Sequence, residues 1–237
     1  MLLALYIITG MIFGSFLNVV IQRSPRAESL INPRSICPQC RERLLIHDLI
    51  PVIGYLLLGG RCRFCRAKIS LRYPIVEMLS AAGFAVSFIR YGTSVWMLAG
   101  CIFLSILIVS TFTDLETGII PDRVTYFGIV SGFALSFLTV GWLSSLTGSL
   151  VFGGFLFLAA FLSGGGMGGG DVKLGAAIGA FTGFKMALMV MVLASFLGGT
   201  WALVLLIMGK AGLKTRIKFG PFLALAALVV WAFGQKI

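Results

Sequence analysis

Four of the five cysteines form two CxxC pairs, a spacing that suits metal binding. The pairs are separated by 21 residues and consist of Cys37, Cys40, Cys62 and Cys65. Each CxxC turn can direct both thiolates to one point, and four thiolates complete the tetrahedral shell of zinc. Four protein ligands leave no open coordination position, so we expect a structural zinc. The alternative, a disulfide pair or free cysteines, is disfavoured on the reducing side of a membrane.

Two aspartates next to apolar segments are candidates for acid–base chemistry. Asp114 follows the apolar stretch 106–112, and Asp171 follows the glycine-rich run 164–170. A carboxylate at the edge of a membrane is costly unless it faces protein or a wet cavity, which makes such acids functional candidates. The alternatives are loop solvation for Asp114 and a helix N-cap for Asp171.

When two carboxyl groups face each other, ionising both is unfavourable because their negative charges repel. One keeps a proton while the other acts as a base on water, which permits peptide-bond hydrolysis without a metal or a covalent nucleophile. If Asp114 and Asp171 lie on the same side of the membrane, they predict aspartic protease chemistry. The glycine run also contains a formal GxGxxG, but no strand or βαβ unit surrounds it, which disfavours a nucleotide-binding fold.

The composition indicates the elements that must position these residues. The chain has 237 residues, of which 59% are hydrophobic and 11% charged, with a mean hydropathy of +1.04. Such a chain cannot cover a water-facing surface, so a soluble globular protein is excluded. The apolar runs do not alternate with period two, which predicts helices instead of a barrel. No Lys or Arg precedes Arg23, so we expect the first apolar segment to stay as an anchor and not to be cleaved as a signal.

We therefore predict an all-α polytopic membrane protein with about eight transmembrane helices and a small cytoplasmic zinc-binding insert. The predicted spans are 2–20, 74–89, 95–112, 124–140, 143–162, 172–184, 186–208 and 221–233. This division gives three parts: a first transmembrane helix at 1–20, a cytoplasmic four-cysteine zinc-binding insert at 21–73, and a seven-helix core at 74–237 that carries the two aspartates.

The basic residues predict the orientation in the membrane, because Lys and Arg are retained on the cytoplasmic side. Sixteen of the nineteen lie in the insert and in the other loops on the same side. We expect both termini outside, and the insert, Asp114 and Asp171 on the cytoplasmic side. The net charge of +11 suits anionic lipid headgroups. No nucleic-acid partner is expected, because aromatic stacking motifs and a recognition helix are missing.

Taken together, these motifs resemble those of the bacterial type IV prepilin peptidase family, which are membrane aspartyl peptidases with a GxGD motif. The similar segments cover nearly the whole chain: GSFLNVV at 14–20, the two CxxC pairs, RYPIVE at 72–77, the segment 114–122, GMGGGDVKL at 166–174 and FGPF at 219–222. The resemblance implies that Asp114 and Asp171 are the catalytic pair. It also implies supporting roles in the peptidase motifs for Pro121, Asp122, Gly166, Gly168, Gly170 and Lys173.

The resemblance further implies a substrate and a second activity. The family removes a short basic leader from prepilins or pseudopilins, after a glycine and before a hydrophobic helix, at the cytoplasmic face of the bacterial inner membrane. Members with the cysteine insert commonly methylate the new amine with S-adenosylmethionine, so both activities are expected here. Glu77 is the candidate to accept the amine proton, and its alternative role is a structural acid that pairs with Arg72. Leu49 departs from the family pattern, in which a polar residue often occurs.

Three alternatives remain beside the bifunctional enzyme. The first is a peptidase whose insert is only structural, the second is a transporter that uses the aspartate pair as an ion path, and the third is an assembly subunit. His47, the only histidine, is not assigned to the site, because four thiolates already fill the metal. Cys101 lies in an apolar span and is expected to be a small buried side chain.

Overall fold

The computed structural model describes residues 1–31, 35–163, 167–209 and 218–234. Helices dominate the described residues, which contain no strand and only two isolated β-bridges. The α-helices are α1 (Leu2–Arg23), α2 (Ile53–Leu57), α3 (Arg72–Tyr91), α4 (Val95–Thr117), α5 (Asp122–Ser136), α6 (Trp142–Leu162), α7 (Gly169–Ile207) and α8 (Gly220–Phe233). Two short 3₁₀ helices occur at Ser24–Arg26 and Ile46–Leu49. The predicted all-α fold class is confirmed.

Four helical segments among the described residues are long and apolar enough to cross a membrane: Leu2–Arg26, Val95–Thr117, Trp142–Leu162 and Gly169–Ile207. Helix α8 is a shorter apolar helix. These segments agree with a polytopic membrane protein, whereas the number of eight spans stays a prediction.

Helix α7 replaces two of the predicted spans with one long element that contains a break. Its 39 residues would extend about 58 Å if straight, against about 30 Å for the hydrocarbon core of a bilayer. Gly183 interrupts the helical backbone with φ 73° and ψ 177°. Residues with a Cβ rarely adopt this conformation, whereas glycine adopts it readily. The break therefore divides α7 into segments 169–182 and 184–207, close to the boundary predicted between the sixth and seventh spans.

The chain forms two compact units, residues 1–109 and 110–237. In the first unit, α1 packs against α3. Contact is close because Gly14 of α1 faces α3: a Cβ at this position would lie 2.6 Å from the Cα of Glu77. Small residues at such crossings let helix backbones approach each other in membranes, where lipid removes most of the hydrophobic driving force for association.

In the second unit, α7 packs against α5, α6 and α8. The crossing with α6 again depends on a glycine, since a Cβ at Gly148 would lie 2.7 Å from the carbonyl carbon of Gly183. Side chains of Phe152, Leu156, Leu174 and Ile178 are almost fully buried in this unit. Helix α7 is therefore the central element of this unit.

Candidate active site and metal-binding cluster

The two CxxC pairs form the same local structure twice, offset by 25 residues. In the first turn, the N–H of Cys37 donates to the carbonyl of Glu42, and the N–H of Arg41 donates to the carbonyl of Cys37. The equivalent bonds recur in the second turn, from Cys62 to Ala67 and from Arg66 to Cys62. The arginine after each pair has a positive φ, 59° and 60°. Each turn thus presents its two thiols in the same way.

The four cysteine sulfurs converge on one point in the first unit. All four Sγ atoms lie within 4.8 Å of one another. Across the cluster, Cys37 Sγ lies 3.8 Å from Cys65 Sγ, and Cys40 Sγ lies 4.0 Å from Cys62 Sγ. Sulfurs bound tetrahedrally to zinc at about 2.3 Å would be about 3.8 Å apart. The cluster therefore has the donor set and spacing to hold a metal ion.

The thiols differ in how readily they ionise. Backbone N–H groups of Cys65 and Phe64, together with neighbouring thiols, lower the pKa of Cys62 to about 7. A backbone bond from Glu42 lowers the pKa of Cys40, but burial and the three other thiols outweigh it and raise that pKa to about 12. Four close thiols cannot all lose their protons without a cation, which a bound metal supplies.

Asp48 helps to join the second CxxC turn to the rest of the insert. Its carboxylate accepts bonds from Arg63, at 3.1 Å from Nε and 2.6 Å from the terminal nitrogen, and its side chain is 2% exposed. These bonds and the charge of Arg63 lower the pKa of Asp48. His47 Nε2 lies 3.6 Å from the same carboxylate and is exposed. The only histidine therefore contacts an acid of the insert.

Glu77 lies in the first half of α3 and is 7% exposed. Its carboxylate accepts a 2.7 Å bond from the N–H of Val52, which belongs to the insert and has a positive φ of 62°. The side chain of Ser15, on α1, also bonds to it. Glu77 thus connects two helices of the first unit with the insert, so its observed partners are Val52 and Ser15.

Asp114 lies in the last turn of α4, next to the point where Gly118 ends the helix with φ 68°. The N–H of Gly118 donates to the Asp114 carbonyl at 2.8 Å. The Asp114 side chain is 5% exposed, and its Oδ2 accepts a 3.0 Å bond from the N–H of Gly220 at the start of α8. A Cβ at Gly220 would lie 2.8 Å from that oxygen. The start of α8 therefore packs directly on Asp114.

Asp171 lies in the first turn of α7 and is 8% exposed. Gly168 is the N-cap of this helix, and Gly170 packs on Ile120, whose Cβ would lie 2.9 Å from a Cβ at position 170. A Cβ at Gly220 would lie 3.1 Å from Cδ1 of the same Ile120. The buried Ile120 therefore touches the backbone beside both aspartates. The two carboxylates are close enough to interact as like charges.

Pro121, Asp122 and Lys173 lie around the same pair of helix ends. The Pro121 carbonyl accepts the first bonds of α5, from the N–H groups of Val124 and Thr125. Lys173 Nζ donates to Asp122 Oδ1 at 2.6 Å and lies 5.1 Å from the centre of the Tyr126 ring. Both partners of the ion pair are partly exposed, so its contribution to stability is about 1 kcal/mol or less. The pair connects the start of α5 to the start of α7.

The structure brings Gly168, Gly170, Pro121, Asp122 and Lys173 together with the two aspartates in the second unit, whereas Gly166 lies outside the described residues. Cys101 is buried and lies outside the four-sulfur cluster. Sequence reasoning missed Gly220 and Lys218 as site residues. Lys218 Nζ donates to the carbonyl of Leu115, beside Asp114, at 2.6 Å. For Gly220 the available signal was the FGPF segment at 219–222, noted only as a similar motif; Lys218 immediately precedes that segment.

Comparison with known proteins covers most of the chain. The family model "Bacterial Peptidase A24 N-terminal domain" matches residues 8–91, and "Type IV leader peptidase family" matches residues 101–203. No solved structure matches the chain.

Similar proteins extend along the whole sequence, and each is named a prepilin leader peptidase/N-methyltransferase. The chain is 33% identical to the protein of Bacillus subtilis, covering 100% of this chain and 96% of the relative. It is 32% identical to that of Burkholderia pseudomallei (strain 1026b), covering 99% and 86%, and 31% identical to that of Aeromonas hydrophila, covering 99% and 91%. With a four-thiol cluster in one unit and two buried aspartates in the other, this chain belongs to the type IV leader peptidase family.

Proposed function

We propose that the protein is a membrane-embedded aspartic endopeptidase that removes the leader of type IV prepilins or pseudopilins and then N-methylates the new N-terminus with S-adenosylmethionine. The observation that carries this proposal is the pair of buried carboxyls, Asp114 and Asp171, at the ends of α4 and α7 in one compact unit. Relatives named for both activities align along the full chain, which supports assigning both to this protein.

For the peptidase step, one aspartate acts as a base on water and the other supplies a proton. The water oxygen bonds to the scissile carbonyl carbon while its proton moves to the basic carboxylate. The protonated carboxyl donates to the carbonyl oxygen and stabilises the charge that develops there. When the C–N bond breaks, the leaving nitrogen takes up a proton and becomes the α-amine of the mature pilin. The step consumes one water and needs neither a metal nor a covalent intermediate.

The supporting residues fit this chemistry as positioning groups. Gly170 lets the start of α7 approach Ile120, Gly168 is the N-cap of α7, and Pro121 is the N-cap of α5. The Lys173–Asp122 pair joins these two helix starts. We assign Gly166 to the same motif on the basis of the family resemblance alone.

We also propose that the four cysteines hold one structural zinc. Cys37, Cys40, Cys62 and Cys65 offer four thiolates at suitable distances, and their complete shell leaves no position for a reacting water. Zinc would supply folding energy, since a segment of this size has little hydrophobic core of its own. The insert 21–73 would then be a separate part between the first helix and a peptidase core at 74–237.

S-adenosylmethionine requires an apolar site for its adenine and polar partners for its amino-acid end. In the first unit, a cavity of about 440 Å³ lies between the end of α1 and the insert. It is lined by Val19, Arg23, Leu30, Ile31, Ser35, Leu44, Ile46 and Leu49. Its volume lies within the range of ligand sites, about 300–1,000 Å³, and its mainly apolar lining with few polar groups is typical of them. We therefore propose this cavity, with Arg23 and Ser35 as the polar residues of its lining, as the site of S-adenosylmethionine, which would supply the methyl carbon when bound.

We propose Glu77 as the residue that serves the methyl transfer. Its partner Ser15 precedes Val19 of the cavity wall by one helical turn, a separation of about 5–6 Å between Cβ atoms. The accepting amine exists only after cleavage, so hydrolysis must come first. The amine must also lose a proton before it can attack. Because the usual pKa of an α-amine is about 7.7–8.0, a small shift toward the neutral form suffices near neutral pH. Glu77 would accept or orient that proton.

For the orientation, we propose that the insert and both aspartates face the cytoplasm and that both termini lie outside the inner membrane of a bacterium. The distribution of Lys and Arg supports this arrangement, because sixteen of nineteen fall on one side of the predicted spans.

Mass spectrometry of a prepilin tests both activities together. We expect the purified protein in lipid, supplied with S-adenosylmethionine, to remove the leader and add one methyl to the new N-terminus. Cleavage without methylation would support the peptidase with a structural insert. Intact substrate for every prepilin and pseudopilin tested would favour the transporter or assembly alternative.

Glu77→Gln separates the two activities. We expect leader cleavage within about twofold of the unchanged protein and a loss of methylation of about 10²-fold or more, the usual size of a general-base contribution. The amide keeps an oxygen that can accept the Val52 N–H, so the insert should remain attached. Ser15→Ala removes the hydrogen bond from Ser15 to Glu77 but keeps the carboxylate, so it serves as the control for local structure. Unchanged methylation in Glu77→Gln would assign Glu77 a structural role only.

A further inference from the structure

We infer, building on the peptidase function proposed above, that Lys218 and the backbone N–H of Gly220 hold Asp114 in its ionised form. Asp114 is then the base that takes a proton from water, and Asp171 is the acid that donates to the scissile carbonyl. Lys218 and Gly220 are positioning residues in this scheme, because they act through Asp114.

The first observation is the contact between Asp114 and the start of α8. Gly220 is the first residue of this 14-residue helix, and its N–H donates to Asp114 Oδ2 at 3.0 Å in a buried environment. Backbone N–H groups at a helix start carry partial positive charge and stabilise an anion. The site also requires glycine, since a Cβ at position 220 would lie 2.8 Å from Oδ2 and 3.2 Å from the Cβ of Asp114.

The second observation is a cation on the same side of Asp114. Lys218 Nζ donates to the carbonyl of Leu115 at 2.6 Å, which anchors the ammonium at the end of α4. The carbonyls of a helix end carry partial negative charge, so this is a favourable place for a cation. From there the positive charge of Lys218 acts on Asp114. Thus a charge and a hydrogen bond both favour the ionised carboxylate.

The third observation concerns Asp171, which has different surroundings. Its Oδ1 is buried and has no hydrogen-bond partner among the described residues. The start of α7 favours negative charge on Asp171, as α8 does on Asp114, so helix ends do not distinguish the two. Asp171 also has a backbone hydrogen bond, from Gly168, as Asp114 has from Gly220. The two differ in the neighbouring charge: Lys173 is paired with Asp122 at 2.6 Å, and the charge that acts on Asp171 is that of Asp114.

An oxygen that has no donor is costly when it carries charge and costs less when it carries a proton. The free Asp171 Oδ1 can therefore hold the shared proton and present it to the carbonyl oxygen of a substrate. Water transfers a proton to Asp114 as its oxygen bonds to the carbonyl carbon. On cleavage of the C–N bond, Asp114 passes that proton to the leaving nitrogen, and Asp171 regains its own.

The pH dependence of cleavage by the full chain in lipid tests this assignment. The acidic limb of kcat/KM reports the base and the basic limb reports the acid of the free enzyme. Lys218→Gln should move the acidic limb to higher pH by about half a unit to one unit, because the base loses a stabilising charge. Lys218→Arg should restore the limb. Lys185→Gln, an exposed lysine elsewhere on α7, should leave it in place.

Gly220→Ala provides a second measurement, with kcat expected to fall by about 10- to 100-fold and KM nearly unchanged, because the Cβ would displace the Asp114 carboxylate. If this variant fails to fold, the lysine series decides alone. A basic limb that moves while the acidic limb stays would reverse the two roles and overturn the inference, as would a profile that Lys218→Gln leaves unchanged. Either result leaves the peptidase itself intact, whereas a wild-type protein that cleaves no substrate removes the proposed function.

Discussion

Asp114→Asn is expected to lower kcat for leader cleavage by about 10³-fold or more, and Asp171→Asn by a similar factor. Each change removes one half of the proton exchange, since an amide neither accepts the proton of water nor donates the proton of a carboxylic acid. The protein should remain folded. Asparagine has the same shape as aspartate, and its oxygen can still accept the Gly220 N–H that Asp114 accepts now. Single-turnover cleavage of a prepilin in lipid measures the effect.

A nearby acid supplies the control for this experiment. Glu116 lies two residues after Asp114 on the same helix but is exposed, so Glu116→Gln changes the charge without altering the buried pair. Its cleavage rate should stay within about threefold of the unchanged protein. Normal processing by Asp114→Asn or by Asp171→Asn would end the assignment of the pair, whatever the control shows.

Cys62→Ser is expected to remove zinc from the insert. Loss of even an outer-shell partner commonly weakens metal binding by about 10- to 100-fold, so loss of a direct thiolate ligand should weaken it by more than about 100-fold. The Sγ of Cys62 lies 4.0 Å from that of Cys40 across the cluster, and Cys62 is 3% exposed, so its loss removes a buried ligand. Metal analysis of the purified protein should fall from one zinc per chain to nearly none, and limited proteolysis should cut the insert faster.

The fifth cysteine offers a matched control. Cys101 is buried in α4 and lies outside the cluster, so Cys101→Ala removes one thiol without removing a ligand. It should keep its full zinc content. The metal proposal fails if the wild-type protein, purified without chelators, contains no zinc.

Composition and local pattern determined the class of this protein. An apolar content of 59% with 11% charged residues permits only a membrane-embedded chain, and long runs without alternation specify helices. The two CxxC pairs indicated the metal cluster, because ligand type and short spacing are local properties. The repeat of 25 residues is also visible in the sequence, where CPQCRERL at 37–44 parallels CRFCRAKI at 62–69. The backbone hydrogen bonds that the two copies of this repeat share are visible only in the structure.

Helix boundaries were predictable to within a few residues where apolar runs end at charged or glycine residues. Helix α4 was predicted to end at Phe112 but continues to Thr117, so Asp114 belongs to a helix. Helix α5 runs from Asp122 to Ser136, earlier than the predicted 124–140. Hydropathy follows the membrane core, whereas helical hydrogen bonding continues into polar residues as long as the backbone groups find partners.

Contacts between distant parts of the chain required the tertiary structure. The bond from Gly220 to Asp114 joins residues 106 apart, and that from Lys218 to Leu115 joins residues 103 apart. The bond from Val52 to Glu77 likewise identifies a partner that the sequence did not indicate, since the alternative role of Glu77 named only an insert arginine such as Arg72. Residue type indicates that a buried carboxylate needs donors, but which donors it meets depends on how helices pack. The sequence alone therefore determined the chemical groups, and the packing of α7 and α8 around the end of α4 decided their surroundings.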